Sequence, residues 1–178
     1  MAYEERPGAG DYVEYYGKYV ALVPEGDIVA ILATQVEDTV TLLRNRTEEQ
    51  ALGAYAPGKW TMKEVIGHLI DVERVMSYRA LRIARGDTTP LAGFDENTYV
   101  PAGQFNQRAL ASLLSEFTAV RRATVALLAG LPEDAWLRAG TANDAPVTVR
   151  GVAWIIAGHE LHHRALLVER YMVESPAR

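Results

Sequence analysis

Residues 149–167, VRGVAWIIAGHELHHRALL, decide how the rest of the chain is read. Val152, Ile155, Ile156, Leu166 and Leu167 keep a period near 3.6, which marks an amphipathic helix. Thr148, just before it, is an N-cap residue type, and the helix is expected to run to about Glu174. Inside it, His159-Glu160-Leu161-His162-His163 holds three of the four histidines in the chain. Residues four apart on a helix stack on one face. His159 and His163 therefore point the same way, along the stripe of Val152, Ile156, Leu166 and Arg170. Two imidazoles on a stripe that faces a core are costly unless something pairs with their nitrogens. A divalent metal ion does so, because neutral imidazole is its commonest ligand. His162 is turned by about 100° from His163. It is expected beside the site or partly exposed, not as a ligand.

The fourth histidine lies on a second helix with a clear start. Thr61 followed by Glu64 is a capping box, Val65, Leu69, Val72, Met76, Ala80 and Ile83 give the apolar face, and Gly86 follows Arg85 as a stop. His68 shares a face with Val65, Val72 and Val75, so it looks inward or to the edge of the core. Bundles build metal sites from side chains on facing helices. Three histidines from two helices leave positions on the ion open for water or substrate. The competing reading is a lone core histidine at His68 and a solvated face at HELHH. Asp71, one turn from His68, is placed either to accept a hydrogen bond from a ligand imidazole or to sit on the surface.

Two more long helices complete the pattern. One starts at the cap residue Asp27, with Ile28, Ile31, Leu32, Thr39, Leu42 and Leu43 on one face and Gln35 in the same stripe. The other is expected from an Asn106 cap to Gly130, with Leu110, Leu113, Leu114, Phe117, Val120, Thr124, Leu127 and Leu128. Thr47 and Gln50 form a second capping box for a short helix. Trp60 is expected to pack at the start of the helix that follows. Residues 1–26 read as an irregular arm. Its Tyr12, Tyr15, Tyr16 and Tyr19 suggest a turn or two of helix laid on the bundle, with cofactor stacking as the alternative. Residues 86–105, GDTTPLAGFDENTYVPAGQF, and 138–147 read as loops. The first is long enough to be functional and to cross the mouth of a pocket. With no convincing strand pattern, the expectation is an all-α four-helix bundle with long loops, one domain over residues 1–178.

Composition narrows the function. The chain has 178 residues, 49% of them hydrophobic, so a core forms without metal or disulfide. Its 18 Lys and Arg against 23 Asp and Glu give a net charge of -5, and no basic patch argues for nucleic acid. The basic run from Arg79 to Arg85 reads as a solvated face. There is no cysteine, which removes thiolate nucleophiles and Cys-based metal sites. No signal peptide or apolar span is evident, so the expectation is a cytoplasmic protein away from the membrane. The run from His159 to His163 also fits H-E-x-x-H, with Glu160 as a peptidase base. The extended form of that motif fails, because Leu166 and Glu169 stand where its Gly and third His belong.

The chain resembles the DinB/YfiT-like superfamily of metal-dependent enzymes over nearly its whole length. The resemblance rests on YVALVPEGD (19–27), YAPGKWTMKEVIGHLIDVERV (55–75), YRALRIARGDTTPLAGFDENTYV (78–100), EFTAVRRAT (116–124) and IIAGHELHHRAL (155–166). The family pattern of one His on the second helix and H-x-x-x-H on the last is met by His68, His159 and His163. The resemblance implies a four-helix bundle, commonly a homodimer, carrying nickel, zinc or a similar ion. Some members are thiol-dependent S-transferases or isomerases; others are described as hydrolases. Here a transferase would need an external low-molecular-weight thiol, activated on the ion as a Lewis acid. The alternatives are a metal-dependent hydrolase and a non-catalytic metal-dependent binding or stress protein. A small-molecule substrate would meet Arg79, Arg82 and the Phe94-Asp95-Glu96-Asn97 loop near the mouth, with Asp95 and Asn97 as polar contacts.

Overall fold

Asp27 accepts hydrogen bonds from Val29 N and Ala30 N through its side chain, and the long helix begins directly behind it. The structure is a computed structural model that describes Met1 and residues 3–172. Among the described residues the helices are α1 (Gly17–Val20), α2 (Ile28–Leu43), α3 (Glu48–Ala51), α4 (Met62–Ala84), α5 (Glu96–Gly103), α6 (Leu110–Ala129) and α7 (Val149–Leu166). The last of these continues into a π-helical turn, Leu167–Tyr171. The stretch expected to carry this helix on to Glu174 lies outside the described residues.

The four long helices make the bundle. Helix α4 packs against α6 and α7, and α2 packs against the same two, so α2 sits across the bundle from α4 and α6 across from α7. Both expected capping boxes are present, at Thr47 with Gln50 and at Thr61 with Glu64. The apolar interior falls into two clusters. One gathers Ile28, Leu32, Met76, Trp136 and Trp154; the other gathers Leu43, Ile66, Leu69 and Phe117. Along each long helix a polar residue stands where one cluster gives way to the other: Gln35 and Thr39, Glu73, Arg121, and Glu160.

Several local expectations need correcting. Residues 86–105 contain α5, capped by the Asp95 side chain, which accepts from Asn97 N. Only Val100 of this helix is buried, so it carries no apolar period to read. Asn106 caps no helix. It lies in a 3-10 turn, accepts from Thr61 Oγ1 and donates to Glu64 Oε1, tying the long loop to the start of α4. The cap of α6 comes from elsewhere in the chain: Glu48 Oε1 accepts from Leu110 N at 2.9 Å. Residues 138–147 hold a hairpin, β1 (Ala139–Ala142) against β2 (Ala145–Thr148), antiparallel. Its turn residues Asn143 and Asp144 both have positive φ, 52° and 58°, as a two-residue type I′ connection requires.

No helix among the described residues is long and apolar enough to cross a membrane. The arm is anchored at several points. Asp11 accepts from Thr148 Oγ1 at 2.7 Å and pairs with Arg150 at 2.8 Å, next to the cap of α7. Further along, α1 lies on α7 at Gly158, where a Cβ would stand 2.1 Å from Tyr19 O. Only glycine permits that approach.

Candidate metal centre

His68 projects from α4, and His159 and His163 from successive turns of α7. The two helices pack together, and the three imidazoles meet between them. One nitrogen from each ring lies within 4.8 Å of the other two. His68 Nε2 and His159 Nε2 are 3.1 Å apart, and the three ring centroids are separated by 4.9, 4.9 and 4.6 Å. His68 and His159 are buried, and His163 is half-buried.

Burial sets the protonation of this cluster. It pushes His68 down to about 4. His163 falls to about 3, through burial first and then the neighbouring His68 and His162. His159 lies well below its ordinary value for the same reasons, burial leading and the other three histidines adding. At neutral pH all three rings are neutral, each with one nitrogen able to accept, and His68 Nε2 and His159 Nε2 stand within hydrogen-bond reach of each other. No carboxylate hydrogen-bonds to them among the described residues. Three uncharged imidazoles converging at this distance are the donor set that a divalent cation requires, and the residues fit such an ion.

The cluster forms part of the wall of a cavity of about 550 Å³, an ordinary size for a small-molecule site. Tyr15, Tyr16 and Tyr19 from the arm, Trp60 and Phe94 line it as well. The tyrosines thus do more than rest on the bundle. Tyr19 sets its ring edge-on to His159 and His162, at 5.5 and 5.3 Å between centroids, and burial raises its pKa. Trp60 lies 4.9 Å from the His68 ring, and its carbonyl accepts from Tyr171 OH at 2.7 Å. His162 is half-buried on the cavity wall, beside His163.

Other candidates fall elsewhere. Glu160 does not face the cavity. Its carboxylate accepts from Gln35 Nε2 and Thr39 Oγ1, both at 2.6 Å, and pairs with Arg121 Nη1 at 2.7 Å. These contacts hold it, 1% exposed, toward α2 and α6 and away from the cavity, so it is not placed as the base of an H-E-x-x-H peptidase. Asp71 holds no ligand histidine: no imidazole hydrogen bond reaches it, and the charges that act on it are those of Arg74 and Glu116. Asp95 and Asn97 are exposed and bond to each other at the start of α5. The members of that loop on the cavity wall are Phe94 and Glu96.

Arg79 departs from its expected solvated face. It is buried and lines the cavity, while Arg82 is tied to Asp87 and Tyr78. Arg121 was not singled out from sequence at all. It is 1% exposed and binds Glu73 through Nε and Nη2, at 2.7 and 2.9 Å, Glu160 through Nη1, and Leu32 O at 3.1 Å. One signal was present: Arg121 interrupts the apolar stripe between Phe117 and Thr124.

Comparison with known proteins agrees with this architecture. A sequence profile of the DinB superfamily matches residues 31–167. The chain is similar in structure to YfiT from Bacillus subtilis, described as a probable metal-dependent hydrolase with an unusual four-helix bundle topology. The TM-score is 0.70 at 18% sequence identity, over 93% of this chain and 91% of YfiT. At that identity the likeness concerns the fold. A search of curated proteins gave no match.

Proposed function

The chain belongs to the DinB superfamily, and from that membership we propose that it is a metal-dependent enzyme whose ion, nickel or zinc, is held by His68, His159 and His163. The observation that carries the reading is the convergence of three neutral imidazoles on the wall of a small-molecule cavity. Bound there, such an ion supplies Lewis-acid chemistry, lowering the pKa of a thiol or water at an open position. The rest falls to the chain itself. Burial holds the three rings unprotonated at neutral pH. Tyr16, Tyr19, Trp60 and Phe94 give the cavity aromatic walls that take up the apolar part of a substrate and exclude water.

The nucleophile we favour is an external low-molecular-weight thiol, making the reaction an S-transfer. The chain has no cysteine, so no internal thiol competes for the centre. Hydrolysis is the second reading, favoured by the description of YfiT as a probable metal-dependent hydrolase. Two measurements test the proposal. Metal analysis of protein purified without chelator or metal-affinity resin should find about one divalent ion per chain. A screen of small thiols against electrophiles should then show thiol consumption that chelator stops. Metal-dependent ester cleavage without thiol would replace transfer by hydrolysis. Metal-free protein would overturn both.

A further inference from the structure

Among the described residues, Arg79 is a buried cation with no counter-charge. Its side chain is 4% exposed. Nη2 donates to Ala92 O at 2.7 Å, Nη1 lies 3.5 Å from Met76 Sδ, and the guanidinium carbon is 5.9 Å from the centre of the Phe94 ring. None of the salt bridges among the described residues includes it. A guanidinium carries five N–H donors in a fixed fork, and here a carbonyl and a weakly accepting thioether engage two. The remaining donors belong to a group on the wall of the cavity that the histidines line. Burial pulls its pKa down, opposed only by Tyr16. Glu96, a carboxylate on the same wall, is exposed and forms no ion pair with it.

The geometry follows from the helix. His68, Val72, Met76 and Arg79 all line the cavity, and their spacings of four, four and three place them on one stripe of α4. From His68 to Arg79 the axis rises ~16 Å. A helical side chain leans toward the N-terminus, and because His68 and Arg79 stand on the same helix both lean the same way, so the gap between their tips stays at ~15 Å, contact distances at each end included. Val72, Met76 and Ile155 make the stretch between them apolar.

We propose that Arg79 binds a carboxylate at the far end of the substrate, so that the substrate is an elongated molecule with an apolar middle, its anion at Arg79 and its reacting group at the histidines. The inference rests on the metal centre proposed above, and its test separates the two. Zinc-loaded full-length protein is titrated calorimetrically at pH 7.5 with 8-mercaptooctanoic acid and with 8-mercapto-1-octanol, and zinc content is measured on the same samples. The two probes share a thiol and differ in charge at a distance that matches the span. The acid should bind at least tenfold more tightly. A short pair, 3-mercaptopropanoic acid and 3-mercapto-1-propanol, should show no such preference. Arg79→Met should remove the preference of the long pair, and Arg79→Lys should keep part of it. Equal binding of the long pair to the wild type, or a preference that survives in Arg79→Met, overturns the role of Arg79 while zinc is retained. Wild-type protein that does not retain zinc overturns the centre and the span with it. Should Arg79→Met fail to fold, the long and short pairs on the wild type decide alone.

Discussion

Two polar regions interrupt the apolar interior, and they differ in how their charges are answered. Around Arg121 the charges are matched, and of the polar atoms in the knot Gln35 Oε1 meets no partner among the described residues. Its guanidinium meets Glu73 and Glu160, and Glu160 also accepts from Gln35 and Thr39, so that all four long helices contribute to one sealed knot. Around the histidines no opposite charge answers them among the described residues: three imidazoles face one another, and Arg79 bonds to a carbonyl and a thioether but to no carboxylate. Both regions contain groups that are expensive to bury. The first fixes how the helices register against one another; the second leaves its bonding capacity for something from outside. A buried polar group signals function when its partners are missing, not merely when it is buried.

The largest effect that would sharpen this contrast concerns the metal. His68→Ala, His159→Ala and His163→Ala should each abolish tight divalent-ion binding in competition titrations, since two imidazoles make a poor site. Retention by any one of them breaks the three-histidine assignment. In the sealed region, Arg121→Met should cost about 3–5 kcal/mol in urea denaturation, because two buried carboxylates lose their cation. Replacing Glu73, Arg121 and Glu160 together with Met should cost less than that single change. Arg79→Met, at a similarly buried guanidinium, should cost no more than about 1.5 kcal/mol, the value of a hydrogen bond. Equal losses at Arg79 and Arg121 would erase the distinction.

Acid should act through the unmatched region. Above pH 6.5 the imidazoles are neutral in the folded and the unfolded chain alike. Below it the unfolded chain takes up protons, while the folded chain resists until about 4 at His68 and about 3 at His163. Metal-free protein therefore loses stability as pH falls through that window, and these groups add no further loss beneath it. At 1.36 kcal/mol per pKa unit, His68 alone accounts for ~3 kcal/mol. Thermal melts of wild type and His68→Phe from pH 7 to 4 should diverge in the wild type's disfavour; parallel curves would show that burial does not set this pKa. A smaller change is expected from His162→Ala, which should weaken metal binding by no more than roughly 10–100-fold. Least of all, chelation should leave the far-UV helix signal intact, because both apolar clusters form without the ion.

Much of this was legible from sequence where one residue decides the matter locally. Asp27, Thr61 and Thr148 cap the helices they precede, and the i, i+4 spacing of His159 and His163 puts both rings on one side. What was misread depends on partners far along the chain. Asn106 looks like a cap, but α6 is capped by Glu48, brought in from α3. Asp95 and Asn97 looked like pocket residues, yet the conformation of the loop turns Phe94 and Glu96 to the cavity instead. The hairpin is too short for a strand period, and its one clue was the Asn143-Asp144 pair. Arg121 and Glu73 stood as charges inside apolar stripes, a contradiction that burial in a mutual ion pair resolves.

The contact between Tyr19 and Gly158 bears on the order of assembly. One wall of the cavity comes from the beginning of the chain and the ligand pair from its end, so the chamber closes by joining segments separated by almost the full sequence. Such contacts come at high loop-closure entropy and tend to form late. Helices α2, α4 and α6 are complete before the ribosome reaches α7. A half-made chain therefore has His68 but no second imidazole beside it, and an arm with nothing to lie on. Any competence to take up metal is delayed until the last helix docks.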